Sequence, residues 1–382
     1  MTINALQSMN YLVEFSSSPA KQPSSIGTSQ VNRKSLFWIG SFALASLVSI
    51  GVSSTDAATK KPAARATTHR TTAHKRTLYS AERSLSRRAK LARAHAIATA
   101  REMADTILPR YKVDASGDLV PDVRAAAAII YNPETNQVLW EENSQTPRSI
   151  ASITKVMTAT VFLENNPDFA RPVTIERGDV FHASTTHLRA NDRVTVDDLM
   201  HLLLIASDNA AARALARISP YGSDGFVRRM NEKALELGLQ NTTYADPSGL
   251  LTENVSSAYD MARLITFASS DDRIGSIMRT PEYTIHTQKR AITFHSTNHL
   301  LGRENVDVRA GKTGFISKAG YCLATLLRLP QGQGGQQVAV VVLGARSNAG
   351  RFMETQNLFD WLSTKAATLF GSKPQQQQVP QQ

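Results

Sequence analysis

The sequence predicts a mixed α/β sandwich with an inserted helical subdomain, because strand patterns lie on both sides of a helical middle. Two short apolar runs, 125–131 and 137–141, are separated by Asn132-Pro-Glu-Thr-Asn136, which is typical of two strands joined by a turn. Helical spacing of apolar residues then continues to about residue 268, and strand patterns return from residue 283. No internal repeat is visible.

Helix boundaries follow from apolar spacing and capping residues. A helix is predicted over Ser152–Glu164, and Leu199–Ala206 is almost wholly apolar, so we expect it to be buried. Thr195 with Asp198, and Ser257 with Asp260, are predicted as capping pairs. Further helices are predicted over 209–217, 224–237, 257–268 and 349–369, and strands over 283–286, 291–295, 309–316, 321–329 and 337–345.

The positive charge of the chain is confined to one segment. The 382 residues carry a formal charge of +11, and residues 60–101 alone hold twelve basic side chains and one acidic one, Glu82. The remaining basic and acidic residues are equal in number. Because the basic segment has few large apolar and aromatic residues, we interpret it as a tether with weak electrostatic attraction to an anionic wall or membrane, not as a specific nucleic-acid site.

An export segment is predicted near the N-terminus. Arg33 and Lys34 precede the apolar run Leu36–Val52, and small residues follow it. The run is longer than a usual signal core and shorter than the roughly 20 residues that span a membrane. A cleaved signal and a retained anchor therefore both remain open, as does translation starting at Met9.

The single cysteine, Cys322, excludes an intramolecular disulfide and a cysteine-rich metal site. It stands in an apolar strand pattern, which favours a small core residue over a nucleophile.

Three short clusters carry residues suited to acyl transfer. Ser152 and Lys155 share one helix face, where a desolvated lysine can activate the hydroxyl and the Ser152 N–H can stabilise an oxyanion. Ser207-Asp-Asn209 supplies a second hydroxyl for proton relay and an amide for a substrate carbonyl, although this cluster taken alone is better explained as a helix N-cap.

The third cluster, Lys312-Thr-Gly314, lies in a strand pattern. Its ammonium and hydroxyl suit a substrate carboxylate, Gly314 allows close backbone approach, and the N–H of Phe315 can complete an oxyanion hole. A strand with a bulge at the glycine is the structural alternative. The clusters follow one another at intervals of 55 and 105 residues, each in the expected context of helix, inter-helix loop and strand.

This ordered S-x-x-K, S-x-N, K-T-G set resembles that of the low-molecular-mass penicillin-binding proteins, the D-alanyl-D-alanine carboxypeptidase/endopeptidase family. The resemblance covers about 119–369 and includes Asp246-Pro-Ser-Gly-Leu250 and Thr297-Asn-His-Leu-Leu301. It implies a penicillin-binding/β-lactamase-like fold with a mostly antiparallel sheet. We therefore expect four parts: an export region (1–58), a basic linker with a helical stretch (59–118), a catalytic domain (119–370) and a disordered Gln-rich tail (371–382).

The resemblance implies a serine hydrolase of the bacterial periplasm that remodels cell-wall peptidoglycan. Its roles by analogy are Ser152 as nucleophile, Lys155 as base, and Ser207 with Lys312 in proton transfer. It further implies that Asn209 holds the acyl chain, that Thr313 and Arg351 receive the terminal carboxylate, that β-lactams acylate the serine, and that no cofactor or metal is needed.

Departures and rivals refine this expectation. Asp208 stands where many relatives carry glycine, and no further β-domain follows the last helix, which resembles the shorter endopeptidases. His295 and His299 lack the context of a metal site, and Glu236 is better explained by a helix C-terminus than as a deacylating base. The rival hypotheses are a β-lactamase or esterase on the same fold, and an inactive wall-binding or nucleic-acid-binding protein.

Overall fold

A computed structural model describes residues 108–330 and 335–370 together with scattered residues between 87 and 104. Those scattered residues are helical and exposed, in the region where the basic helix is predicted. The predicted export segment (36–52), the tether residues 59–78 and the Gln-rich tail (371–382) lie outside the described residues. In the part described, no helix has the length and apolarity needed to cross a bilayer.

The strands in chain order are β1 Tyr111–Val113, β2 Leu119–Pro121, β3 Ala127–Asn132, β4 Gln137–Glu142, β5 Arg148–Ser149, β6 Pro172–Thr174, β7 Arg193–Thr195, β8 Val255–Ser256, β9 Glu282–His286, β10 Ala291–His295, β11 Asp307–Ile316, β12 Gly320–Arg328 and β13 Gln337–Ala345. The helices are α1 Thr154–Leu163, α2 Arg177–Val180, α3 Val196–Leu204, α4 Asn209–Ile218, α5 Gly222–Glu236, α6 Ala258–Ser269, α7 Asp272–Arg279 and α8 Asn348–Phe370. A 3₁₀ turn, Ala151–Ile153, leads into α1.

A five-stranded antiparallel sheet with the order β11-β12-β13-β3-β4 separates two apolar cores within the described residues. Along β3, Ile129 faces the helical subdomain and Ile130 faces the core on which α8 packs. Val341 and Val340 of β13 alternate in the same way. Because both faces of the sheet are covered, the sequences of these strands are continuous apolar runs. The predicted α/β sandwich with its antiparallel sheet is confirmed.

The helical subdomain carries two of the three sequence motifs on or beside buried helices, and the third lies in β11. All ten residues of α1 are buried, so its position is set by packing on every side. Thr195 caps α3 through a reciprocal pair with Asp198, as predicted (2.8 and 3.1 Å). Ser257 caps α6, but the second capping pair is only half right: the carboxylate of Asp260 accepts from Asn241 N (2.8 Å) instead of returning to the cap.

Some elements are absent from the sequence prediction. Helix α7, Asp272–Arg279, was missed because it is short and mixes charged residues with Gly275. The two-residue and three-residue strands were missed because they are too short for an alternating pattern. Strand β1 lies upstream of residue 119, the predicted start of the catalytic domain, and it pairs with β2 at that start.

Candidate active site

The three clusters border one cleft of about 530 Å³. The sequence-predicted residues that line it are Ser152, Ser207, Asn209, Thr313, Gly314, Phe315 and Arg351. Lys155 and Lys312 are buried beside it and contribute through their side-chain nitrogens. Strand β11, at one edge of the sheet, forms one wall, and the helical subdomain forms the other. The fold therefore assembles residues that are far apart along the chain.

Ser152 lies in a turn that two glycines enclose. A Cβ built on Gly249 would lie 2.1 Å from the carbonyl oxygen of Ala151, and one built on Gly314 would lie 2.5 Å from that of Ile150. Ala151, directly before the serine, has a positive φ of 50°. The backbone of the turn is thus held between a loop and a strand that approach more closely than any side chain would allow, which fixes the hydroxyl of Ser152.

Lys155 is the best-connected side chain of the cleft. Its Nζ donates to Ser152 Oγ (2.9 Å), Asn209 Oδ1 (2.7 Å) and Ser248 O (2.5 Å). Burial lowers the pKa of Lys155 to about 7, against the opposing attraction of nearby carboxylates. A lysine in this state has a substantial neutral fraction near neutral pH and lies within reach of the serine proton.

The residues of the Ser207-Asp-Asn209 cluster have different contacts. Ser207, with φ of 60°, faces the cleft, while the buried carboxylate of Asp208 caps α4 by accepting from Ala211 N (3.0 Å). Asp208 also accepts from His187 N (2.6 Å), so it holds the loop that forms part of the rim of the cleft. The N-cap interpretation is therefore confirmed for Asp208. Ser207 and Asn209 line the cleft, and their roles in proton relay and substrate binding stay predictions.

Both polar atoms of the Asn209 amide have a protein partner. Its Oδ1 accepts from Lys155, and its Nδ2 donates to Ala183 O at 2.7 Å. The amide thus orients the lysine and ties the helix to the rim of the cleft, a contact that its sequence context does not reveal.

Lys312 is buried on the strand side of the cleft. Its Nζ donates to Thr313 O at 3.1 Å, and burial, together with the positive charges of Lys155 and Arg351, holds its pKa well below the usual range. Thr313 Oγ1 donates to Thr297 Oγ1 (2.6 Å). No carboxylate among the described residues acts on the pKa of Lys312, so an incoming anion beside the Thr313 hydroxyl would favour its protonated form.

Arg351 also lines the cleft, but its guanidinium is engaged by the protein. Nη1 donates to Gly314 O (3.0 Å) and Cys322 O (3.2 Å), and the group lies over the ring of Phe352 at 4.9 Å. Burial lowers its pKa to about 10. These contacts brace β11 against β12, and the direct role of Arg351 as a carboxylate ligand stays a prediction.

Residues outside the motifs occupy ordinary structural positions. Cys322 is buried in β12, and burial raises its pKa to about 11, in keeping with a core residue. His295 pairs with Glu282 (2.9 Å), and His299 stacks on Phe352. Glu236 is the last residue of α5 and binds Arg229 and Lys233.

Sequence reasoning missed the contribution of the 246–254 loop. Ser248 supplies a carbonyl to Lys155, and Leu250 lines the cleft. In the sequence, Asp246-Pro-Ser-Gly249 is typical of a turn and is part of the family resemblance. Neither feature indicates a contact with Lys155. Ser184 and Thr185, also on the rim, carry no sequence signal of their own.

Comparison with known proteins places these features in a family. The sequence profile of the D-alanyl-D-alanine carboxypeptidase family matches residues 114–347. The chain is 33% identical to a D-alanyl-D-alanine endopeptidase of Pseudomonas aeruginosa over 65% of this chain and 81% of that protein. It is 32% identical to the corresponding Escherichia coli endopeptidase, over 64% and 79%.

Solved structures agree with the sequence relatives. A Streptomyces DD-transpeptidase aligns with a TM-score of 0.59 at 29% identity, covering 63% of this chain and 97% of that one. A Listeria monocytogenes penicillin-binding protein in a cefotaxime-bound form aligns with a TM-score of 0.55 at 31% identity and the same coverage. The predictions of a serine hydrolase and of D,D-peptidase action on the cell wall are confirmed. This chain belongs to the D-alanyl-D-alanine carboxypeptidase family of penicillin-binding serine peptidases.

Proposed function

We propose that Ser152 is the nucleophile of this peptidase and that Lys155 is the base that removes its proton. The 2.9 Å hydrogen bond from Lys155 Nζ to Ser152 Oγ, beside an open cleft, carries this proposal. A general base must reach the proton that it removes and must be partly neutral at the working pH. A buried lysine with a pKa of about 7 meets both conditions.

In acylation, Ser152 Oγ attacks the carbonyl carbon of the penultimate D-alanine while its proton passes to Lys155. The N–H groups of Ser152 and Phe315 stabilise the oxyanion. The C–N bond then breaks, and the leaving amine takes a proton delivered through Ser207 and Lys312. Water subsequently attacks the ester carbon, which releases the acyl group as a carboxylate and restores the serine.

The substrate is a D-alanyl stem peptide of peptidoglycan. Lys312 and Thr313 receive the carboxylate of the leaving D-amino acid, and Arg351 supports them by bracing the strand. Asn209 contributes to the acyl-chain side of the cleft while its amide orients Lys155. β-Lactams acylate Ser152 as substrate mimics, by analogy with the relative whose structure holds cefotaxime.

Among D-alanyl bonds, we favour those in crosslinks between two stem peptides. The supporting observation is the similarity to three proteins named D-alanyl-D-alanine endopeptidase, at 32 to 35% identity over 69 to 81% of their lengths. Removal of the terminal D-alanine from a monomeric peptide is the second candidate, because relatives named carboxypeptidase match at 30 to 32%.

Two measurements test this function. A fluorescent penicillin is expected to label the wild type and the exposed-serine control Ser276→Ala, but not Ser152→Ala; an unlabelled wild type, or labelled Ser152→Ala, overturns the assignment. Mass analysis of defined muropeptides then compares bonds. We expect crosslinked dimers to be split faster than monomeric pentapeptides lose D-alanine, and the reverse order would assign a carboxypeptidase.

We further propose that the enzyme acts outside the cytoplasmic membrane, exported through residues 36–52, with the catalytic domain at 119–370 joined to it by the basic tether. The charge of residues 60–101 supports weak attraction to an anionic wall or membrane. Deletion of 60–101 is expected to abolish salt-sensitive binding to isolated cell walls. Binding that persists unchanged without the segment would contradict this assignment.

A further inference from the structure

The loop formed by residues 246–254 is organised around one carboxylate. Asp246 accepts hydrogen bonds from Ser248 N (2.6 Å), Gly249 N (2.8 Å), Leu251 N (2.7 Å) and Asn254 Nδ2 (2.7 Å). The Ser248 hydroxyl adds a further bond at 2.5 Å. Few local conformations satisfy so many donors at once, so the carboxylate determines the shape of the loop.

This shape brings the loop against the nucleophile and the base. The carbonyl of Ser248 accepts from Lys155 Nζ at 2.5 Å. The next residue, Gly249, has φ of 80° and lies so close to Ala151 that a Cβ would be 2.1 Å from its carbonyl oxygen. Ser248 therefore contacts Lys155, and its neighbour Gly249 contacts the turn that carries Ser152.

The far end of the loop is tied to the same turn. The carbonyl of Asn254 accepts from Ile150 N at 3.1 Å, and Val255 pairs with Ser149 where β8 meets β5. The segment before Ser152 is thus held by the loop at two separate places, and the loop in turn depends on Asp246.

The charge of Asp246 also acts on Lys155. Burial alone would raise the pKa of Asp246, but its hydrogen-bond donors, Ser248 first among them, hold that pKa below the usual value, so the group is ionised near neutral pH. Asp246 and Asp208 favour the ammonium form of Lys155. Arg213 on α4 opposes it. Lys312 on β11 responds to the charge of Lys155, which lowers the pKa of Lys312.

We propose that Asp246 is a positioning residue of the acyl-transfer reaction: its carboxylate shapes the loop that holds Lys155 and the Ser152 turn, and its negative charge stabilises the ammonium that forms when Lys155 takes up the serine proton. This inference deepens the proposed function, because it rests on Lys155 as the base. None of the three motifs contains Asp246, and its role is indirect, since it acts through Ser248 and Gly249.

The test is the pH profile of acylation in the full chain with Asp246→Asn. Asparagine removes the charge and turns donor hydrogens toward Leu251 N and Asn254 Nδ2. We expect the second-order rate constant for acylation by a fluorescent penicillin to fall roughly tenfold or more, the scale of a lost charge-assisted hydrogen bond. Without the carboxylate the ammonium is less favoured, so the rising limb of the profile moves to lower pH by about half a unit or more.

Two variants keep the result interpretable. Asp260→Asn is the matched control, because Asp260 is also a buried carboxylate that orders a loop, through Asn241 N and Thr242 Oγ1, without contact to Lys155. Its profile is expected to stay in place. Asp246→Glu keeps the charge and is expected to return the limb to the wild-type pH while the rate remains lower.

The inference is overturned if the rising limb of the pH profile keeps its position in folded Asp246→Asn, or if it moves equally far in Asp260→Asn. If Asp246→Asn fails to fold, Asn254→Ala is measured instead: it loosens the loop and keeps the charge, so a lower rate with an unmoved limb is expected, and a wild-type rate overturns the inference. Lys155→Met separates the two proposals, because a Lys155→Met enzyme that acylates normally refutes the base itself, whatever Asp246 does.

Discussion

Two buried lysines, Lys155 on a helix and Lys312 on a strand, lie beside the cleft in different surroundings. Lys155, on the helical side, has three acceptors, from Ser152, Asn209 and Ser248. Lys312, on the strand side, has the backbone carbonyl of Thr313 at 3.1 Å. Burial lowers the pKa of both.

The charges around the two lysines differ as well. Lys155 lies near Asp246 and Asp208, whereas the charges that act on Lys312 are those of Lys155 and Arg351. In the described part of the chain, no carboxylate offsets the charge of Lys312. Lys155 has hydrogen-bond acceptors and nearby carboxylates without substrate. Lys312 gains a negatively charged partner only when an anion binds. We infer that Lys155 takes up the serine proton and that Lys312 binds a carboxylate besides sharing in proton transfer to the leaving amine.

The largest expected effect comes from removing the amine of Lys155, on the helical side of the cleft. Lys155→Met keeps the length of the side chain and removes the amine, so the rate of acylation by a fluorescent penicillin should fall by about 10³-fold, within the range of general base catalysis. Stopped-flow or time-resolved labelling measures it. Lys318→Met, at an exposed position, serves as the control and should react like the wild type. A Lys155→Met rate within a few fold of the wild type would remove the distinction between the two lysines.

A second change displaces the Ser152 turn without removing a polar group. Gly249→Ala places a methyl group against the Ala151 carbonyl and should lower acylation by roughly 10²-fold, as expected for a shift of about 1 Å in a reacting group. Gly302→Ala is the matched control: its φ is 81°, but no atom lies within 4 Å of the added Cβ. Both variants carry the cost of a left-handed alanine, about 1–2 kcal/mol, so thermal unfolding should show a further loss of stability only for Gly249→Ala. Equal behaviour of the two variants would show that the close approach is unimportant.

The smallest effect tests the strand side. Lys312→Met should lower the cleavage of a peptide with a free C-terminal carboxylate by about 10- to 100-fold, which corresponds to one hydrogen bond to a charged group. The matched substrate carries a C-terminal amide, and on it the variant should lose much less. Product release followed by mass analysis gives both rates. An equal loss on the two substrates would leave Lys312 with its part in proton transfer alone and would remove its role in carboxylate binding.

Much of this site could be predicted because its signals are local. The spacing of Ser152 and Lys155 within one helical turn, the Thr195 cap and the apolar runs of β3 and β13 each depend on neighbours in sequence. The placement of Cys322 in a buried strand follows from the same kind of pattern.

Other contacts could not be predicted, because they join segments far apart in the chain. Asp260 has the sequence of a capping partner, yet its carboxylate binds Asn241 and Thr242 on a neighbouring loop. Arg351 resembles a substrate ligand, yet it donates to the carbonyls of Gly314 and Cys322. In both cases the side chain has more than one partner of suitable chemistry, and packing selects among them.

The sequence by itself determined which candidate groups for acyl transfer are present and which helices and strands carry them, since residue type and short spacing decide both. Only the tertiary structure decided how those groups are charged and held. The burial that lowers the pKa of Lys155 and Lys312, and the 246–254 loop that meets the Ser152 turn, depend on contacts between distant segments. The physical reason is that desolvation and close packing are properties of the assembled interior, which no local stretch of sequence specifies.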